Sequence, residues 1–114
     1  MEYSESLKKN QDFRQVYRRG TSAAERQFVM YVLENGKDRN RLGISVSKKV
    51  GNSVIRHRIR RLVKEGYRLH EQQFARGYDI IVIARTGAAG VTQAEATESL
   101  LSLGAKLKIR EAEA

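Results

Sequence analysis

The stretch KKVGNSVIRHRIRRLVKEGYRL, residues 48–69, constrains this chain more than any other. Residues 48–68 contain eight Lys or Arg and one acid, Glu65, and so carry seven of the nine net positive charges. A disordered basic tail would be poor in apolar residues, yet Val50, Val54, Ile55, Ile59, Leu62 and Val63 are interleaved here. At about 100° per residue, Ile55, Ile59, Leu62, Val63, Gly66 and Leu69 fall in one stripe. Arg56, His57, Arg60, Arg61, Lys64 and Arg68 fall opposite. The expectation is an amphipathic helix with one face on a core. Its other face crowds like charges at i, i+4 spacing, each pair repelling by about a few tenths of a kcal/mol. A polyanion relieves that repulsion and releases counterions as it binds, and the planar fork of arginine suits phosphate. A merely solvated face usually mixes signs, and this one has only Glu65 to offset its cations.

Gly51 and Asn52 interrupt the charge. Gly51 is expected to allow a tight strand-to-helix turn, and Asn52 or Ser53 to cap a helix that runs to about Leu69. Free N–H groups there, beside Lys48 and Lys49, suit an anion. An ordinary capped turn is an equally good reading.

The 114 residues are expected to form a single domain, 1–114, with a frayed tail after about residue 110. Hydrophobic residues make up 40% and charged residues 31%, the balance of a chain that folds. Cysteine is absent, which excludes disulfides, thiolate nucleophiles and cysteine metal sites. No apolar run approaches the ~20 residues needed to cross a bilayer. The opening MEYSESLKKN has no apolar signal core. The expected setting is the cytoplasm, with nucleic acid as partner and no membrane.

Asn10 to Arg19 reads as a helix, with Phe13, Val16 and Tyr17 on one side and Gly20 as its stop. Gln27 to Leu33 reads as a strand, and Asn35-Gly36 opens what is expected to be a hairpin loop. Leu42 to Ser47 alternates: Leu42, Ile44 and Val46 face a core, and Gly43, Ser45 and Ser47 form a side that something can approach closely. Tyr78 to Ala84 (YDIIVIA) is apolar on both faces, as an interior strand is. Thr92 and Glu95 have capping-box spacing ahead of a helix that buries Ala96, Leu100, Leu103 and Leu107. The class is α+β, with helices packed on a small mixed sheet.

Catalytic signals are missing. Neither His57 nor His70 belongs to a metalloprotease or deaminase motif. Asp12, Asp38 and Asp79 are scattered, and no pair has the spacing of a two-metal nuclease site. No catalytic residue and no metal ligand is assigned. The aromatics offer binding instead. Phe13, Tyr17 and Tyr31, near a groove of small residues, suit unpaired bases, although for Phe13 a core position reads equally well. Tyr67 and Tyr78 read as packing residues.

KKVGNSVIRHRIRRLVKE resembles the signature of the bacterial ribonuclease P protein family. LKKNQDFRQVYRRGTSAAERQFVMYVL, RLGISVSKKVGN and GYDIIVIAR resemble that family's flanking elements in the same order. His57 departs from the pattern, standing where the family usually has asparagine. The resemblance implies a fold of α-β-β-β-α-β-α order like the second domain of ribosomal protein S5, with a left-handed crossover between the strands at 42–47 and 78–84. It implies a subunit of an endoribonuclease that removes the 5′ leader of precursor tRNA by phosphodiester hydrolysis. The catalytic centre and its Mg²⁺ ions would lie in the RNA subunit, with no cofactor bound by the protein alone.

The implied partners are that RNA and precursor tRNA. Lys48, Lys49, Asn52, Arg56, His57, Arg58, Arg60, Arg61, Lys64 and Arg68 are the expected RNA-binding residues. Phe13, Tyr17, Tyr31, Ser45, Ser47 and Lys48 are the expected leader cleft. A structural RNA-binding protein of ribosomal type is the alternative. It would share the basic helix and have no need of the cleft.

Overall fold

The computed structural model describes residues 4–110, so the expected frayed tail lies outside the described residues. The elements in chain order are β1 (Ser4–Ser6), α1 (Asn10–Arg19), β2 (Thr21–Ala24), β3 (Phe28–Glu34), β4 (Asn40–Val46), α2 (Ser53–His70), β5 (Tyr78–Ala84) and α3 (Gln93–Lys106). Short 3-10 turns at Glu71–Gln73 and Thr86–Ala88 flank β5. The helix at Asn10–Arg19 and its stop at Gly20 are as the periodicity predicts. The three residues of β1 carry no apolar alternation, and no sequence signal marks them.

The strands form one sheet in the order β1-β4-β5-β3-β2. The Asn35-Gly36 loop therefore does not make the expected hairpin. β5 inserts between β3 and β4, antiparallel to the first and parallel to the second. YDIIVIA is apolar on both faces and needs a strand on each edge as well as cover above and below. Gly36 takes the left-handed conformation, with φ 72°. The Asn35 side chain accepts a bond from Lys37 N at 2.8 Å, and Asn35 N donates to Gly77 O at 2.8 Å. The loop thus crosses the end of β5.

Alternation along the strands builds two cores. Met30, Val32, Leu42, Val46, Ile80 and Val82 face α2 and α3, and are buried together with Ile59, Val63, Leu100 and Leu103. Each such side chain contributes about 1.5–3 kcal/mol by leaving water. Ile81 faces the other way and is buried under Leu7 and Val16 of the α1 side, with Phe13, Tyr31, Leu33 and Ile83 around them. Helices thus cover both faces of the sheet. The ten residues of α1 form a narrower cover than the paired α2 and α3. The capping box of α3 forms as expected, with Thr92 accepting from Glu95 N at 3.1 Å and Glu95 accepting from Thr92 N at 3.0 Å.

Candidate nucleic-acid interface

The inner side of α2 is set by Ile59, Val63, Gly66 and Tyr67, all buried. A Cβ on Gly66 would lie 2.7 Å from Thr97 Oγ1, so α2 and α3 approach closely here. Leu69 does not belong to this stripe as expected. It is 59% exposed, and Tyr67 takes the inward place. The Tyr67 hydroxyl meets Ser4 Oγ at 2.8 Å and accepts from Asn40 Nδ2 at 3.1 Å. Two buried hydrogen bonds outweigh the aliphatic pattern. Burial raises the Tyr67 hydroxyl above its ordinary pKa, against the opposing effect of these two partners.

The cap belongs to Asn52, whose Oδ1 accepts from Ile55 N at 3.0 Å. The turn itself spans Ser47 to Val50, closed by a 3.1 Å bond from Val50 N to Ser47 O. Gly51 is required for room rather than for a turn: a Cβ there would lie 2.8 Å from Ile55 Cγ2.

On the opposite sheet face, α1 leaves Ser45 and Ile83 only part covered. Tyr17 stands 39% exposed beside them. Its ring meets Tyr31 edge-on at 5.1 Å between centroids, and Phe13 at 6.3 Å. Phe13 is the inner member, packed so tightly on Gly43 that a Cβ there would lie 2.6 Å from its Cζ. The Tyr17 hydroxyl is pushed up by partial burial, a shift opposed by its hydrogen bond with Ser45. Phe13, Tyr17, Tyr31 and Ser45 are thus brought together. Ser47 and Lys48 are exposed in the turn leaving the same end of β4.

Residues 1–108 match the family described as Ribonuclease P. The chain belongs to the ribonuclease P protein family. It is 51% identical over 106 residues to the ribonuclease P protein component of Lachnoclostridium phytofermentans, covering 93% of this chain and 91% of the relative. To that of Staphylococcus haemolyticus it is 49% identical over 100 residues, covering 88% and 87%. The solved Staphylococcus aureus RNase P protein superposes with a TM-score of 0.85 at 42% identity, covering 96% of this chain and 98% of that one. For the Thermotoga maritima protein the TM-score is 0.81 at 32% identity, with 94% and 98% covered. As a family member the chain is a subunit of the ribonuclease P ribonucleoprotein, an endoribonuclease of tRNA 5′ processing, and the RNA of that particle is its partner.

Within this ribonuclease P protein, the ten expected RNA-binding residues divide three ways. Lys48, Lys49, His57, Arg61 and Lys64 are exposed, and no ion pair engages them among the described residues. Four others have duties in the fold. Asn52 caps α2, Arg58 donates to Val91 O at 2.7 Å, Arg60 donates to Ile44 O at 2.7 Å, and Arg68 forks onto Glu65. Arg56 is half-buried, with its Nε unpartnered among the described residues.

Asp12 and Asp79 are far apart in sequence. They converge on Arg41, which donates to Asp79 at 2.7 and 2.6 Å and to Asp12 at 3.2 Å. Hydrogen bonding to Asp79 raises the Arg41 pKa further above its ordinary value, so the guanidinium stays charged. No group of three metal-ligating side chains occurs among the described residues. Lys8 and Asn10 also border α2 in space, and only the fold could have drawn attention to them.

Proposed function

We propose that this subunit grips the ribonuclease P RNA with the outer face of α2 and holds the 5′ leader of precursor tRNA against the aromatic face of the sheet. Hydrolysis and the Mg²⁺ ions that assist it belong to the RNA, and the whole chain acts as one RNA-binding domain in the cytoplasm. The observation that carries the leader assignment is the row Phe13, Tyr17, Tyr31 beside Ser45, open where α1 ends its cover. A half-exposed tyrosine with a neighbouring ring edge-on offers a free π-face, on which any base stacks. Small side chains on β4 leave space for a sugar-phosphate backbone, and Lys48 supplies charge nearby.

On α2, Arg61 and Lys64 are the primary phosphate contacts, with Lys48 and Lys49 at the turn. Arg58 and Arg60, bonded to neutral carbonyls, contribute positive potential from tethered positions, whereas the charge of Arg68 is offset by Glu65. His57 replaces an amide with an imidazole, which also donates and accepts hydrogen bonds. The deciding experiment measures binding of precursor and mature tRNA to reconstituted holoenzyme carrying Tyr17→Ala. Loss for the precursor alone supports the leader cleft, and equal loss for both removes it.

A further inference from the structure

Around the start of α1 lies a second depression, of about 530 Å³. Sites for small molecules span ~300–1,000 Å³. Its origin is the shortness of β1. Pairing with β4 ends at Ser6 opposite Leu42, with a last bond from Leu7 N to Leu42 O at 2.9 Å. Beyond that point no strand pairs with this edge of β4 among the described residues, and Arg60 donates to the Ile44 carbonyl there. α1 packs on one sheet face and α2 on the other, and the two helices leave a notch where they straddle this edge.

Leu7, Phe13, Leu42 and Ile44 form the apolar part of the notch. Lys8, Arg61 and Lys64 stand on its rim, and Ser6 and Asn10 add neutral hydrogen-bonding groups. Among the described residues no carboxylate lines it. Arg60 is committed to Ile44 O, whereas Lys8, Arg61 and Lys64 have no ion pair among the described residues. Cations are thus gathered from two separate parts of the chain around an apolar floor. A phosphate alone would leave that floor wet, and an apolar ligand alone would leave the cations repelling one another.

A flat apolar ring with a polar edge and an attached phosphate satisfies both. Paired A-form RNA keeps its bases stacked and cannot send one into a notch. We infer that the notch seats one unstacked nucleotide, a site that rests on the RNA-binding role proposed above. The base lies against Leu7, Phe13 and Ile44, its edge meets Asn10, and its phosphate sits among Lys8, Arg61 and Lys64. Phe13 is also the inner ring of the aromatic row, so the notch continues the cleft around the edge of β4 toward α2. The nucleotide comes from the RNA subunit or from precursor tRNA, and the chemistry is the same for either.

The test titrates the whole protein with adenosine 5′-monophosphate and, separately, ribose 5-phosphate, followed by methyl and amide NMR. The base should make binding about fivefold tighter or more and shift the Leu7, Leu42 and Ile44 methyl signals. Equal affinities with those methyls unmoved would reduce the notch to a bare phosphate site and overturn the inference. Lys8→Ala and Asn10→Ala, neither on α2, should each weaken this binding. Each should also weaken the holoenzyme's hold on one RNA, and which RNA is affected names the source. A loss no larger than that of the exposed control Lys37→Ala, for both RNAs, also overturns it. If Tyr17→Ala still discriminates precursor from mature tRNA in that case, the notch fails while the leader cleft stands.

Discussion

Arg41 on β4 grips Asp79 on β5 through Nε and one terminal nitrogen, at 2.7 and 2.6 Å, and reaches Asp12 of α1 with the other. Asp79 is 4% exposed, and it also accepts from Asn35 Nδ2 at 3.0 Å. One guanidinium thereby ties the helix that walls the aromatic cleft to the centre of the sheet.

Arg41→Ala should cost about 3–5 kcal/mol, because it strands a buried carboxylate. Asp12→Asn removes only a part-exposed contact and should cost about 1 kcal/mol or less. Urea unfolding of both variants checks the ranking, and comparable losses would mean that the α1 contact matters as much as the buried fork.

Tyr17→Ala and Tyr31→Ala should weaken precursor tRNA binding by roughly 1–3 kcal/mol per lost stacked base. Mature tRNA and RNA-subunit affinities should hardly change, and neither should the cleavage rate at saturating substrate and metal. Binding isotherms for the three RNAs with each holoenzyme decide the matter.

Arg61→Ala and Lys64→Ala should each lower the slope of log affinity against log salt for the RNA subunit by about one unit, with folding stability intact. Arg58→Ala and Arg60→Ala are different, since each gives up a bond to a backbone carbonyl. They should lose about 1 kcal/mol of stability as well. Thermal melts run beside the salt titrations would separate the two pairs, and identical behaviour would contradict the division.

Thr92→Ala should cost about 0.5–2 kcal/mol by uncapping α3. Bonds from the Thr92 backbone and side chain hold the Glu95 carboxyl below its ordinary pKa. A depressed carboxylate contributes stability above its unfolded pKa and loses it as the pH falls through the folded value. Glu95→Gln should therefore lose less stability on acidification from neutrality through the carboxylate range. Melting curves over that range test the sign, and a steeper loss in the variant would refute it.

Local chemistry by itself determined the bounds of α1, a start of α2 capped by Asn52 or Ser53, and the capping box of α3, because helix periods and caps involve residues only three or four apart. It also determined that YDIIVIA is interior and that α2 carries an unbalanced basic face. The tertiary structure decided what depends on distant partners. β5 separates β3 from β4, so the apparent hairpin is a crossing loop. Tyr67 displaces Leu69 from the core because Ser4 and Asn40, remote in sequence, complete its hydrogen bonds. Arg58 and Arg60 look like their neighbours in the motif, yet each is held by a carbonyl the fold brings beside it. Asp12, Arg41 and Asp79 become one network, and Lys8 and Asn10 come to face α2. Such contacts are set by which elements pack on which face of the sheet, and that choice minimises exposed apolar area over the whole chain.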